Sequence, residues 1–486
     1  MNYMKKIALG ALGICCVVSL IAGFSAKYKG QKNDQTVKSD EGSERVLAAE
    51  LSEEALSNAY TLERTIQGTT SSFASPGFWL QTDGTATTVL MTPEEIEEYN
   101  ASLRSVKECG LIDLKETGNT IEASEVRTLI ESYHFGGREY LDGEALTEEK
   151  RRALEEKRNL DALNGAGEIE VRYALTTNAV NVRSYPTVMM LMKSPTAWDF
   201  DYFQESALNI GEGVLVYHQT ADQEWSFVQA ANYAGWVRTE QLAFCTRKEM
   251  EEYLGKKDFA VVLCPQNLTI DGQNALHFAM GSKLPLKWKG EEPLFEIPVA
   301  GSESLQTEWV SLQGLEWNEG YLPYTTACVL DQAMKLLNIS YGWGQRENLL
   351  DCSATVLSVY SCFGFTLPRN TSAMEHIPLN AKDVAEAGAE EKTEYLSGAL
   401  PGSLLVMKGH VMIYLGIQDG TVYALHDFTG YYDETGQRHN IMQCSITPLT
   451  IRLRSGASYL DGVCNIVQVM SENGLKPEEK ARQESE

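Results

Sequence analysis

Three residues in the last third of the chain have the types and the order that nucleophilic catalysis needs. Cys352 stands in Asp351-Cys352-Ser353, after the turn-rich stretch Tyr341-Gly342-Trp343-Gly344-Gln345, and opens an apolar run that reads as a helix. A thiol at a helix N-terminus feels the positive end of the helix dipole, which favours thiolate. Thiolate is the nucleophile, so position alone begins its activation. His410 opens the strand-like run HVMIYLG, and its imidazole can take the thiol proton and return it to a leaving amine. His426 ends the run TVYALH, beyond an expected Asp419-Gly420 hairpin turn that would set the two histidines side by side. Cysteine, then base, then an orienting group is the chain order of papain-like sites. Taken singly, each residue also fits a plainer reading: the cysteine as core packing, His410 as a satisfied core histidine, His426 as part of a loop. His134, His218, His277, His376 and His439 have no such setting and are given no role.

The elements that must position these groups can be read around them. Residues 320–470 offer helices at 327–337 and 352–363 followed by several strands, an α+β arrangement. Upstream, residues 169–246 break into short alternating runs separated by Gly, Asn, Asp and Pro, which argues a small antiparallel barrel. Residues 258–312 repeat that texture more faintly and read as a second barrel. Residues 56–168 read as mainly helical. Thr92-Pro93-Glu94-Glu95 is a capping box with proline at the first helical position, and Ser124 and Thr147 open two further helices. Residues 27–55 are polar and read as a flexible linker, and the charged stretch 471–486 as a disordered tail. The expected fold is therefore a multidomain α+β chain.

Length and charge set the outer limits. The 486 residues leave room for three or four domains, and 43% hydrophobic residues supply packed cores. Asp and Glu total 67 against 41 Lys and Arg, a formal charge of -26. Such a surface repels phosphate backbones, which argues against nucleic acid as a partner; its simplest role is solubility. Lys5 and Lys6 precede an uncharged apolar run from Ile7 to Phe24, the pattern of an export signal. Residues 1–26 are either a cleaved signal or a retained anchor that engages the membrane, and both place the rest of the chain outside the cytoplasm. Eight cysteines beyond this segment are scattered without a C-x-x-C pair, and neither metal nor cofactor is expected.

At these residues the sequence resembles the NlpC/p60 family of cell-wall peptidases. YGWGQRENLLDCSATV is similar to that family's Y-x-W-G-G followed by D-C-S-G. LPRNTSAM resembles its L-P-R-x-S segment, and LPGSLLVMKGHVMIYLG its G-D-L-x-F followed by H-V-G-I-Y. NVRSYPT and YAGWV are similar to the first bacterial SH3 barrel of a multidomain branch, and MTPEEIEEYN to its N-terminal stabilising domain. The resemblance covers about residue 60 to 470. It implies Cys352 as nucleophile, His410 as base and His426 as third residue. It further implies cleavage between D-glutamate and a diamino acid in peptidoglycan stem peptides that carry a free N-terminal L-alanine. Asp351 and Ser353 match the positions that hold the substrate amine, and Tyr233 is placed in the same pocket. A carboxylate beside the nucleophile opposes thiolate unless it pairs with a cation, which the amine would supply; the plainer reading of Asp351 is a helix cap. Three departures stand out: Gln345 and Ala354 occupy family glycine positions where a side chain could crowd the cleft, and Ser403 replaces an aspartate. Two other readings stay open, a catalytically silent wall-binding protein and an acyltransferase or amidase on the same scaffold.

Overall fold

The computed structural model describes residues 41–470 apart from 81–84, 271–273 and 302–303. The expected signal or anchor at 1–26, the first part of the linker and the 471–486 tail lie outside the described residues. Among the described residues no helix is long and apolar enough to cross a membrane.

Helix α1 (Glu41–Ser57) stands where the sequence reads as flexible linker. Small residues on one face account for the difference. Ser52 is fully buried and bonds Ala48 O and Thr325 Oγ1, and Ala55 joins the main core. The region expected to be mainly helical holds four short helices, Pro76–Leu80, Pro93–Ser105, Ala123–Glu131 and Glu148–Lys157, joined by turns and very short strands. The capping box at Thr92 forms with both of its bonds, and Thr147 caps its helix through Lys150 N. Ser124 does not cap; the helix begins one residue earlier, behind Glu122. Nor do these elements share one core. Residues up to Leu111 pack with the C-terminal unit, whereas Leu114, Val126, Ile130 and Leu163 pack with barrel residues such as Trp225 and Trp236.

Residues 172–245 form a seven-stranded antiparallel sheet with β1 (Gln204–Leu208) at one edge. A five-stranded antiparallel sheet follows between Phe259 and Glu319, with a separate hairpin of Gln266–Ile270 and Asn274–Phe278. The C-terminal unit places α2 (Thr326–Lys335) and α3 (Cys352–Ser361) before an antiparallel sheet. Its main strands are β2 (Leu404–Met407), β3 (His410–Gln418), β4 (Thr421–Tyr432), β5 (Arg438–Pro448) and β6 (Val463–Val467), in the order β6-β2-β3-β4-β5, with Ala381–Asp383 outside β6. The hairpin between β3 and β4 turns at Asp419 (φ 51°) and Gly420 (φ 75°), both left-handed as a two-residue hairpin loop of this type requires. Val411, Ile413 and Leu415 of β3 join the core shared with α2 and α3, while Met412 and Tyr414 join a second core on the other face. That alternation is the period-two signature of a strand buried on both sides.

Candidate active site

Asp351 is the N-cap of α3. Its Oδ1 accepts the Ala354 amide at 2.9 Å and the Ser353 hydroxyl at 3.1 Å, and its Oδ2 accepts the Gly344 amide at 3.1 Å. The carboxylate also has a cation from its own chain. Arg369 grips it with Nη1 at 3.2 Å and Nη2 at 2.8 Å, and the same guanidinium donates to Ser353 Oγ at 2.6 Å and Ser206 Oγ at 2.8 Å. Asp351 is 7% exposed and Arg369 4%, so this is a buried, forked ion pair. The cation expected from a substrate amine is thus already present in the protein. Sequence reasoning passed over Arg369, although it lies in LPRNTSAM. The signal was available: a carboxylate buried beside a nucleophile must find a positive partner.

Cys352 is half-buried at the start of α3. Burial, and then the Asp351 charge, push its thiol up to about 12, against the pull of the Val411 amide and Arg369. Burial and Asp351 thus oppose the thiolate that the helix N-terminus favours. The contact with the Val411 amide puts the sulfur beside β3, one residue along from His410. His410 Nε2 meets His426 Nδ1 at 2.7 Å, and His426 Nε2 meets Thr447 Oγ1 at 2.8 Å. Tyr459 lies edge-on to both imidazoles. Burial lowers His410 to about 4, and burial together with His410 lowers His426 well below the ordinary histidine range. Asp351 acts on both partners, raising the thiol and raising His410. Among the described residues no hydrogen bond joins Cys352 Sγ to either imidazole. Behind the site, Asp427 on β4 is fully buried with neither carboxyl oxygen hydrogen-bonded, and burial and Asp351 raise it to about 9.

The first barrel closes against this constellation through its edge strand. Trp343 Nε1 donates to Gln204 O at 3.1 Å, Gln204 Nε2 to Gly344 O at 2.9 Å, and Ala207 N to Gln345 Oε1 at 3.3 Å. Gly344 is left-handed (φ 61°), and a Cβ there would meet Gln204 O at 2.7 Å. Gln345 therefore points at the barrel rather than crowding a cleft, and Ala354 is wholly buried in the core beneath α3. Ser403 sits in a turn, its amide and hydroxyl both bonded to Leu400 O. Tyr233 is on the same side and donates to Glu205 Oε2 at 2.7 Å. Burial raises Glu205, with the hydroxyls of Tyr233 and Ser184 working the other way.

A helix-borne cysteine and a histidine pair on the neighbouring antiparallel sheet form an arrangement of the kind papain-like cysteine peptidases and amidases use. Residues 338–440 match the NlpC/P60 family, and residues 191–238 match an SH3 domain of the SH3b1 type. The NlpC/P60 match lies within that C-terminal unit and supports a function of the peptidoglycan-hydrolase type. A solved structure described as a novel NlpC/P60 endopeptidase from Photobacterium damselae subsp. piscicida aligns with a TM-score of 0.68 at 17% identity, covering 85% of this chain and 99% of that one; at that identity the likeness speaks to fold. NlpC2 of Trichomonas vaginalis covers 62% of this chain and 97% of its own at 12% identity, with a TM-score of 0.25, too low to compare architecture. No curated protein matches the chain. This domain pairing suggests an extracytoplasmic role.

Proposed function

We propose that the protein is an exported cysteine endopeptidase that hydrolyses the bond between D-glutamate and a diamino acid in peptidoglycan stem peptides. The observation that carries the reading is the relay from Thr447 through His426 to His410. With His426 Nε2–H on Thr447 Oγ1, His426 Nδ1 is free to accept His410 Nε2–H. That tautomer leaves the His410 Nδ1 lone pair to take the thiol proton. With burial raising the thiol and lowering the imidazole, both groups favour their neutral forms, which suits proton transfer in step with attack. The sulfur adds to the scissile carbonyl, His410 returns the proton to the departing amine, and water then releases the acyl group from Cys352 by the same base. Backbone amides at the start of α3 are the donors for the developing oxyanion.

The free amine of the N-terminal L-alanine is held where the barrel meets α3, by Ser353, Tyr233 and the neighbourhood of Asp351. Arg369 forms its ion pair with Asp351 and reaches Glu205 only through its charge, so Glu205, whose hydrogen-bonded partners are the Tyr233 and Ser184 hydroxyls, is the carboxylate with room for a new cation. A pocket shaped for an amine rejects a peptide that lacks one, because its own groups would be left unpaired. The domain limits 56–168, 169–246, 258–312 and 320–470, and a second SH3-like barrel in the third of these, belong to the same proposal.

The test is hydrolysis of L-alanyl-D-glutamyl-diamino acid peptides, free and N-acetylated, followed by mass spectrometry with wild type, Cys352→Ala and Glu205→Gln. The expected result is cleavage by wild type only of the free peptide, none by Cys352→Ala, and a smaller acetylation penalty in Glu205→Gln. Wild-type turnover by Cys352→Ala sinks the mechanism, and equal cleavage of both peptides sinks the amine pocket.

A further inference from the structure

The long hairpin of β4 and β5 carries a cation that takes no part in the peptidase chemistry. Arg438 opens β5 and pairs across the strands with Tyr432. The register slips between Phe428 and Gly430, and bulges of this kind beside active sites re-aim side chains. The strands press together there, so that a Cβ on Gly430 would collide with His439 O. The Arg438 guanidinium turns back along the hairpin, where its Nη2 donates to Thr429 Oγ1 at 3.3 Å. Thr429 lies three residues beyond His426 on β4. Tyr459 joins the two places. Its hydroxyl donates to Gly430 O at 3.1 Å, and its ring stands edge-on 5.9 Å from His410 and 5.7 Å from His426. Burial raises that hydroxyl to about 12, the Arg438 charge pulls it down and Cys352 adds to the rise. Nucleophile and arginine are thus both felt at one tyrosine.

Arg438 has charge to spare. It is exposed, and among the described residues no carboxylate forms an ion pair with it. The Thr429 hydroxyl engages Nη2 alone, so the rest of the fork is open. Asp433, at the turn of the same hairpin, is taken by His439 at 2.8 Å and by the Thr435 hydroxyl at 2.6 Å. The free end of the substrate lies at the barrel, and His410 hands its proton to the departing amine. The leaving diamino acid therefore emerges past His410 and Tyr459, toward the hairpin. A lysine side chain would bring an ammonium there, which an arginine repels. A diaminopimelate side chain ends in an ammonium and a carboxylate on one carbon, and the carboxylate matches the guanidinium fork. One cation then attracts the first partner and disfavours the second, which is how charge discriminates.

We propose that Arg438 is a specificity-determining residue that pairs with the side-chain carboxylate of the leaving residue, so that the cleft selects stem peptides with diaminopimelate over those with lysine. The choice of peptide rests on the hydrolase reading of the Cys352 cleft. The experiment titrates the full chain carrying Cys352→Ala by calorimetry with three peptides: L-alanyl-γ-D-glutamyl-diaminopimelate, the same peptide amidated at the side-chain carboxylate, and L-alanyl-γ-D-glutamyl-L-lysine. Expected is tighter binding of the first by at least ~tenfold, the worth of a charge-assisted hydrogen bond. Arg438→Gln, at an exposed position, should erase that preference, and Arg438→Lys should keep part of it. Equal affinity for the three peptides overturns the proposal, as does binding of none. So does an Arg438→Gln variant that weakens all three alike, which would put the arginine on the terminal carboxylate they share. Cleavage is scored separately on protein with Cys352 intact. Binding that depends on Arg438 without any cleavage keeps the selection and removes the hydrolase reading; cleavage of all three at equal kcat/KM keeps the hydrolase reading and removes the selection.

Discussion

Replacing Arg369 with methionine isolates what the buried ion pair contributes. The substitution keeps much of the side-chain volume and removes the fork that grips Asp351 at 2.8 and 3.2 Å. At 2.8 Å and an effective dielectric of about 20, the gross attraction is about 6 kcal/mol. Removing the arginine also relieves the cost of burying it, while the Ala354 and Gly344 amides continue to support the carboxylate. The net loss expected on breaking such a pair is about 3–5 kcal/mol. It should appear in the opening free energy of α3 amides by hydrogen exchange, a local measure suited to a chain of several domains. Pairing Arg369→Met with Asp351→Asn removes the uncompensated charge, so the double variant should recover at least ~2 kcal/mol relative to the sum of the single ones. The thiol offers an independent readout: Arg369 pulls the Cys352 pKa down and Asp351 pushes it up, so alkylation at pH 9 should slow in Arg369→Met and quicken in Asp351→Asn. A loss under about 1 kcal/mol, or penalties that simply add, would refute the reasoning.

His410→Ala should lower turnover by about two to four orders of magnitude and His426→Ala by less, because one moves the proton and the other orients it; equal or reversed losses in steady-state kinetics mean the roles are swapped. Alkylation of Cys352 should keep accelerating with pH beyond 9, since burial holds the thiol up to about 12; a plateau near pH 8 would show a thiolate the geometry does not favour. The base is neutral down to about pH 4, so the acid limb of kcat/KM should fall near there and not near 6.5. Asp427 has a folded pKa raised to about 9, so it destabilises the fold increasingly as pH rises from its unfolded value of 3.8. Asp427→Asn should therefore raise the C-terminal unit's stability at pH 8 by several kcal/mol, at most about 6, with the gain vanishing toward pH 4 in thermal scans.

The local features were legible because local chemistry makes them. The Thr92 capping box, the Asp419-Gly420 turn and the strand carrying His410 each depend on a few adjacent residues. What stayed hidden depends on contacts across the chain. Arg369 finds Asp351 eighteen residues away and Ser206 in another domain, and no spacing rule connects them. Helix α1 looked like a linker because its polar residues dominate; the small face that docks on Thr325 has no strong periodicity. The thiol's setting was legible only in part for a related reason: a helix N-terminus can be read from sequence, whereas the burial that opposes it cannot.

The covered edge of the first barrel limits how the chain can be rebuilt. Edge strands are commonly guarded by charge or by a bulge. Here the guard on β1 is the loop that leads into the nucleophile, and Ser206 on that strand holds the arginine that holds Asp351. A graft of residues 338–440 onto a foreign targeting module would arrive without its keystone, with a bare strand edge left behind on the donor. A transplant that carries the barrel along keeps the Ser206–Arg369 contact and the covered edge.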